Sequence, residues 1–157
     1  MKLQFYVRGP FEEEANWFKD ALNVSGYVAD DDAIVVNPFS KLSNEEKACV
    51  VRNEAIRLLM RCLNLKPCLQ VTTNQKRYFA GTEYEFDEQA MRETIIGRIA
   101  SGDPSAQDAT PEQIGYAMAL LDLFKSVVEL KSDEESNSDL LRRAVDIRVS
   151  PRSQTDI

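Results

Sequence analysis

The sequence of 157 residues contains no histidine, and that absence excludes several classes of enzyme. Histidine exchanges protons near neutral pH, and it is a common zinc ligand. A Ser–His–Asp hydrolase, a Cys–His protease and a histidine-ligated zinc site are therefore ruled out. The glycine-rich phosphate loops GxGxxG and GxxxxGKS/T do not occur either. We predict a protein that is not an enzyme and that has no catalytic residue, cofactor or metal.

Cysteines and long apolar runs are also scarce. The chain has three cysteines, Cys49, Cys62 and Cys68, an odd number that cannot pair completely. Cys49 and Cys62 fall in one predicted helix, too far apart along its axis for a disulfide. We predict reduced thiols that serve as small apolar residues in a reducing compartment. No run approaches the roughly 18 apolar residues of a membrane span, and the N-terminal residues do not resemble a signal peptide.

Basic residues are outnumbered, with 19 lysines and arginines against 26 aspartates and glutamates, which gives a net charge of −7. Residues 1–80 hold 11 basic and 10 acidic residues, whereas residues 81–157 hold 8 and 16. This balance argues against direct nucleic-acid binding and against binding to an anionic membrane. Because arginines are interspersed among the carboxylates, we predict a solvated acidic face, with a nucleic-acid mimic as the alternative.

The N-terminal part of the chain predicts a small β element and one helix. Leu3–Val7 is rich in aromatic and β-branched residues, which predicts a strand. Helical spacing of apolar residues predicts a helix over 10–23, whose buried face would consist of Phe11, Ala15, Phe18 and Leu22. Residues 27–28 and 33–36 flank an aspartate-rich turn, and they predict a hairpin that pairs with the first strand.

The middle of the chain predicts the longest helix, followed by an ambiguous segment. Ser43 and Glu46 form the capping box S-x-x-E, and the apolar residues that follow predict a helix over 44–64. Beyond Pro67 the pattern fits either a strand at Leu69–Thr72 or a helical turn at 74–79. We expect the aromatic residues of this segment to anchor it to the core, namely Tyr78, Phe79, Tyr84 and Phe86.

The C-terminal half predicts two further helices. Asp87 suits the N-cap of a helix over 88–101. Thr110 and Gln113 form a second capping box, and the apolar spacing after it predicts a helix that continues to about Lys131.

These patterns predict a mainly α protein of the α+β class. We expect a helical domain of about four helices with a small N-terminal β-hairpin or sheet. A single globular domain would span residues 1–131. Residues 132–157 would add an acidic linker, a short helix over 139–145 and a flexible tail over 150–157.

One stretch is similar in its placement to the HExxH helix of zinc peptidases. Asn53-Glu54-Ala55-Ile56-Arg57 lies in a predicted helix, and in HExxH the two outer residues face the same metal. Asn and Arg occupy those outer positions here, and arginine has no lone pair to offer a metal. We interpret the stretch as an amphipathic helix in which Asn53 and Arg57 interact, with a degenerate, metal-free zinc-peptidase-like scaffold as the alternative.

Four segments have a pattern in common with a known group of proteins: IVVNPFSKLS at 34–43, NEAIRLLMR at 53–61, FAGTEY at 79–84 and IASGDPSA at 99–106. In these segments, which extend over about half of the chain, it resembles small uncharacterised proteins of tailed bacteriophages. The resemblance implies an origin in a phage or prophage, and a location in the virion or in the bacterial host cytoplasm. It implies no activity and no functional residue.

We predict that the chain acts through contacts with a virion or host protein, as a minor virion or assembly component. The alternative is an early phage protein that binds and inhibits a host enzyme or defence complex. Glu83, Glu85 and Glu88 in the acidic half form a candidate interaction surface. Trp17 is a further candidate because tryptophan is enriched at binding hot spots, although it more often packs at the edge of a core.

Overall fold

A computed structural model describes residues 2–103, 106 and 108–146, and more of these residues are helical than extended. One sheet contains the strands β1 Leu3–Arg8, β2 Gly26–Val28, β3 Ile34–Val36 and β4 Val128–Lys131. The described residues also form six α-helices: α1 Glu12–Asp20, α2 Asn44–Cys62, α3 Thr73–Tyr78, α4 Glu88–Ser101, α5 Pro111–Val127 and α6 Ser138–Val145. The predicted fold class, mainly helical α+β, is confirmed.

The sheet has the strand order β2-β3-β1-β4. β1 pairs in parallel with both of its neighbours, with Val7 opposite Ile34 of β3 and Leu3 opposite Val128 of β4. β2 pairs antiparallel with β3, which confirms the predicted hairpin and its pairing with the first strand. Because β1, β3 and β4 run in the same direction, their carboxyl ends lie at one edge of the sheet.

Different helices cover the two faces of the sheet. Ile34 packs into the large core that β1 shares with the helices α2, α4, α5 and α6, whereas its neighbour Val35 packs against Phe18 of α1. Alternation of side chains along a strand produces this separation. Leu59 of α2 and Phe124 of α5, both on predicted apolar stripes, are buried in the large core.

The first helix is shorter than predicted and buries fewer side chains. It runs from Glu12 to Asp20, and Phe18 is its one fully buried residue. Phe11 and Leu22 lie outside the helix and are exposed. The buried Asn37 amide explains the early end, because it donates to the carbonyl oxygens of Phe18, Ala21 and Val24. Those carbonyls then have a partner outside the helix.

Two predicted helices are confirmed together with their caps. The Glu46 backbone N–H donates to Ser43 Oγ at 3.1 Å, and the Glu46 carboxylate accepts from the Ser43 N–H at 3.1 Å, which starts α2. α4 begins after Asp87, whose carboxylate accepts from the Ala90 N–H at 3.0 Å. It ends at Gly102, whose φ of 76° is the left-handed conformation that glycine adopts readily.

The last strand was not predicted. Helical spacing continues from Phe124 to Val128, so the sequence predicts a helix to about Lys131, but α5 ends at Val127. The next four residues pair with β1, with Val128 and Leu130 toward the core and Glu129 exposed. Pairing with an unoccupied edge of β1 outweighs local helix preference, as tertiary context commonly does.

The ambiguous segment forms a helix. Thr72 and Gln75 make a third capping box, and α3 follows at Thr73–Tyr78. The helical turn is thus confirmed and the strand at Leu69–Thr72 was wrong.

The C-terminal helix α6 packs against α2. Ala144 is completely buried, and the Arg52 side chain donates to the carbonyl oxygens of Ala144 at 2.9 Å and Arg143 at 3.1 Å. The predicted short helix over 139–145 is confirmed. The boundary after residue 131 stays a prediction, and the predicted tail over 150–157 lies outside the described residues.

Candidate functional site

The predicted surface residues Glu83 and Glu85 lie in the short segment that joins α3 to α4, and Glu88 is the first residue of α4. We define the acidic turn as residues 80–88, with the sequence AGTEYEFDE. The Thr82 hydroxyl donates to the Phe79 carbonyl oxygen at 2.6 Å. The backbone N–H groups of Glu85 and Asp87 donate to the carbonyls of Thr82 and Tyr84 at 3.2 and 3.0 Å. These successive turns give the segment a defined backbone.

Phe86 projects from the acidic turn into solvent. Its side chain is 95% exposed, and Tyr78 at the end of α3 is 53% exposed. The prediction that all four aromatic residues anchor the segment was therefore wrong for these two. Phe79 and Tyr84 do anchor it, since Phe79 is buried and the two rings meet edge to face at 5.9 Å. Acidic residues flank Phe86, but they flank Tyr84 as well, so the local sequence does not distinguish the exposed ring from the anchored one.

The three predicted glutamates differ in their surroundings. Glu83 and Glu85 are exposed, and neither carboxylate forms an ion pair or a hydrogen bond with another described residue. Glu88 lies 3.5 Å from Lys76 Nζ and 3.6 Å from Arg92 Nη2. Its charge is therefore partly neutralised, whereas Glu83 and Glu85 present free carboxylates on either side of Tyr84.

A buried pair of glutamines joins α3, the helix before the acidic turn, to α5. The Gln75 side-chain amide donates to Gln113 Oε1 at 2.6 Å, and the Gln113 amide donates to Gln75 Oε1 at 2.9 Å. Each amide also donates to a backbone carbonyl, of Asp108 and Gln70 respectively. Both glutamines are the third residue of a capping box, so this pair joins the start of α3 to the start of α5. Local pattern identifies the second box but not the contact between the two.

Trp17 lies on the opposite face of the sheet from the acidic turn. It is 48% exposed, and its ring packs against Phe18 at 5.3 Å and Tyr27 at 5.7 Å. The structure therefore does not bring Trp17 together with the three glutamates. One side of its ring belongs to the small cluster under α1, and the other faces solvent.

The stretch of α2 that was compared with HExxH, residues 53–57, forms contacts other than the predicted one. Arg57 Nη2 donates to Thr94 Oγ1 of α4 at 2.5 Å rather than to Asn53, so the predicted Asn53–Arg57 interaction was wrong. Asn53 Oδ1 and Arg57 Nε are buried without a hydrogen-bond partner among the described residues. The helix crossing explains this, because Asn53 Oδ1 lies against Gly97, only 2.6 Å from where a Cβ atom would stand. Within the described part of the chain, no three histidine, cysteine or carboxylate side chains group as metal ligands.

The cysteines occupy three different surroundings. Cys49 is partly buried, and its thiol donates to the Ser101 carbonyl at 3.6 Å. Burial raises the pKa of this thiol and so favours its unreactive protonated form. Cys62 and Cys68 are exposed, and all three thiols are free. The interpretation as small apolar residues therefore fits Cys49 alone.

A crevice of about 380 Å³ lies at the carboxyl edge of the sheet, where open α/β folds bind ligands. From this edge the chain continues after β1 into α1, on one face of the sheet, and after β4 into α6, on the other face. The charged lining residues are Arg8, Lys47, Glu134 and Asp139. Arg8 is already bound to Glu14 and Asp31, and Asp139 to two arginines. Two cations balanced by two carboxylates favour no ligand of either charge.

Comparisons of the chain with protein-family models, with curated proteins and with solved structures give no match. No helix among the described residues combines the length and the apolar character that a membrane crossing requires. The candidate site therefore depends on the geometry of the acidic turn.

Proposed function

We propose that this chain is a non-enzymatic protein that acts through protein–protein contacts made by the acidic turn. One observation carries the proposal: Phe86 is 95% exposed, on a backbone that successive hydrogen bonds fix. Transferring a phenylalanine side chain from water into an apolar pocket contributes about 1.5–3 kcal/mol. A fixed backbone adds to the affinity because less conformational entropy is lost on binding.

The carboxylates around Phe86 define the chemistry of the partner. Glu83 and Glu85 are free of ion pairs among the described residues, and both lie within three residues of Phe86. Carboxylates in this position speed association with a positively charged surface and suppress acidic partners. The partner that fits is a protein with an apolar pocket bordered by lysines or arginines.

The resemblance to small phage proteins suggests the biological setting of this contact. In the leading version the partner is a virion protein, and the chain is a minor virion or assembly component. In the second version the chain is an early protein that inhibits a host enzyme or defence complex. Proteomic analysis of purified virions separates the two, because only the first version places the chain in the particle.

Capture of partners with a matched pair of variants tests the proposal. Tagged wild-type chain, Phe86→Ser and Phe39→Ser would each be expressed in a phage-infected bacterial host. Phe39 is a suitable control because it is an exposed aromatic residue, 41% accessible, in the turn before α2. We expect one basic protein to be recovered with wild type and Phe39→Ser and to be lost with Phe86→Ser. Equal recovery with all three chains would contradict the proposal.

A further inference from the structure

A groove of about 330 Å³ lies between the C-terminal end of α2 and the first turns of α4. Its charged lining residues are Arg57, Arg61 and Lys66 together with one carboxylate, Glu93. We call it the cationic groove. Its excess of positive charge is the reverse of the whole chain, which carries −7. This local reversal indicates a surface that attracts an anion.

Arg57 is held in place without a carboxylate partner. Its Nη2 donates to Thr94 Oγ1 at 2.5 Å, and its guanidinium carbon lies 6.0 Å from the centre of the Tyr84 ring. Thr94 in turn donates to the Ala90 carbonyl at 2.7 Å, so Thr94 is a positioning residue with no hydrogen left for a ligand. No carboxylate lies within salt-bridge distance of Arg57 in the described part of the chain. A partly buried guanidinium with unused donors favours binding of an oxyanion.

Arg61 and Lys66 add two accessible cations beside it. Arg61 is 65% exposed and lies 3.9 Å from the exposed Asp32, a pair that water screens strongly. Lys66 is exposed and forms no ion pair with any described residue. Glu54 also attracts both arginines, and burial raises its pKa. Even with Glu54 and Glu93 both ionised, the three cations Arg57, Arg61 and Lys66 leave the groove with a net positive charge.

The end of α2 does not cancel this charge. The Leu65 N–H donates to the Met60 carbonyl at 2.8 Å, and the Asn64 N–H donates to the Arg61 carbonyl at 3.2 Å. These bonds satisfy two carbonyl oxygens in the last turn of the helix, which reduces the partial negative charge that the helix end presents.

We propose that the cationic groove binds a phosphate group, either as free phosphate or as a small phosphate monoester. A dianionic tetrahedral oxyanion matches one arginine fork flanked by two further cations. Met60, Leu65 and the Tyr84 ring supply an apolar wall for the organic part of a monoester. Phosphate binding requires no protein partner. The phosphate site can therefore be tested independently of the protein contact proposed for the acidic turn.

Nuclear magnetic resonance titration of the purified chain tests this proposal. Inorganic phosphate and phenyl phosphate would be added at constant ionic strength near pH 7.5. A phosphate monoester is mostly dianionic at this pH because its second pKa is about 6, whereas free phosphate is a mixture of monoanion and dianion. We expect saturable shifts of the amide signals of Arg57, Tyr84 and Thr94. Tighter binding of phenyl phosphate would support the site as one for monoesters, and equal binding would support it as one for free phosphate.

Two double variants that lose the same charge distinguish binding in the groove from general attraction of phosphate to the protein. Arg61→Gln/Lys66→Gln should raise Kd by about tenfold or more, which corresponds to at least about 1.4 kcal/mol. Lys41→Gln/Lys47→Gln removes two cations near the opposite end of α2, about 25 Å away, and should leave Kd within about twofold. The spectra also show whether each variant is folded.

Three results would overturn the phosphate site. The shifts could fail to saturate, both double variants could weaken binding equally, or acetate could bind as tightly as phosphate. Arg57→Lys provides a further check, because it keeps the charge but loses the planar fork. It should weaken phosphate binding while leaving the fold intact, and unchanged binding would contradict the role of Arg57.

Discussion

Gly97 allows α4 to cross α2 closely. A Cβ atom at this position would stand 2.6 Å from Asn53 Oδ1 and 3.6 Å from Arg57 Cγ. The contact is closer than packed side chains tolerate, so the neighbouring residues would have to shift. Overpacking of this kind lowers the free energy of unfolding by about 1–3 kcal/mol, whereas the better helix propensity of alanine over glycine raises it by about 1 kcal/mol.

We therefore expect Gly97→Ala to lower the free energy of unfolding by about 1 kcal/mol, despite the better helix propensity of alanine. Gly115 of α5 is the matched control, because a Cβ atom there would meet no atom within 4 Å. Gly115→Ala should stabilise the protein by up to about 1 kcal/mol. Urea denaturation of both variants measures the difference. If both variants gave the same change in stability, the inference that Gly97 is needed for the close crossing would be wrong.

Glu14 joins three elements on the α1 side of the sheet. It accepts hydrogen bonds from Arg8 Nη1 at 2.6 Å and from the Phe11 N–H at 2.8 Å, and also from the Tyr27 hydroxyl. The hydrogen bond from Arg8 is the main reason that the pKa of Glu14 falls to about 2. Burial, and then the hydrogen bond to Glu14, raises the pKa of Tyr27 to about 12.

These pKa shifts predict how stability depends on pH. The pKa of Glu14 is lower in the folded chain than its ordinary value of 4.5, so its contribution is complete above pH 4.5 and is lost toward pH 2. Glu14→Gln should remove up to about 3 kcal/mol at pH 7 and flatten the acid limb of the stability curve. Glu13→Gln, in the same helical turn, is the control. Thermal unfolding from pH 2 to 7 that shows parallel curves for wild type and Glu14→Gln would refute this account.

At the scale of elements, α6 forms part of the core and is not a separate extension of the domain. Arg52 of α2 donates to the last carbonyls of α6, and at 2.5 Å to the Ser101 carbonyl at the end of α4. A cation at two helix C-termini satisfies carbonyl oxygens that have no partner within their helices. Removal of α6 would expose the side of α2 that it covers, and Arg52 would lose two of these three acceptors.

We therefore expect a chain that ends at Lys131 to be less stable than one that ends at Asp146, by about 3 kcal/mol or more. Residues 132–146 add a helix that packs on α2, and removing it exposes apolar surface around the buried Ala144. Guanidinium denaturation of the two truncated chains gives the comparison. Equal stability would support the boundary predicted after residue 131 and would mean that α6 contributes nothing to folding.

Local pattern predicts the elements of this fold better than their contacts. The capping boxes at Ser43 and Thr110 predict the starts of α2 and α5, because a cap is a contact within four residues. β4 was missed because Val128 continues the helical spacing of α5, and only pairing with the distant β1 makes residues 128–131 a strand. The same limit applies to the site: sequence identifies the glutamates, but the exposure of Phe86 depends on which neighbouring aromatic rings fill the core.

At the scale of the whole molecule, two surfaces of opposite charge adjoin. The acidic turn and the cationic groove share Tyr84, whose ring lines the groove and whose backbone belongs to the turn. The buried glutamine pair and the α2–α4 crossing fix the elements that carry both surfaces.

The dissociation constant of the captured partner for wild type and for Phe86→Ser tests the central claim most directly. Loss of a buried phenylalanine should weaken the complex by about 2–3 kcal/mol, or about 30- to 150-fold, whereas Phe39→Ser should change it by less than about twofold. Reversal of charge in Glu83→Lys/Glu85→Lys should mainly slow association, and less so at high salt, since the Debye length falls from about 10 Å at 0.1 M to about 3 Å at 1 M. An unchanged dissociation constant for Phe86→Ser would contradict the account.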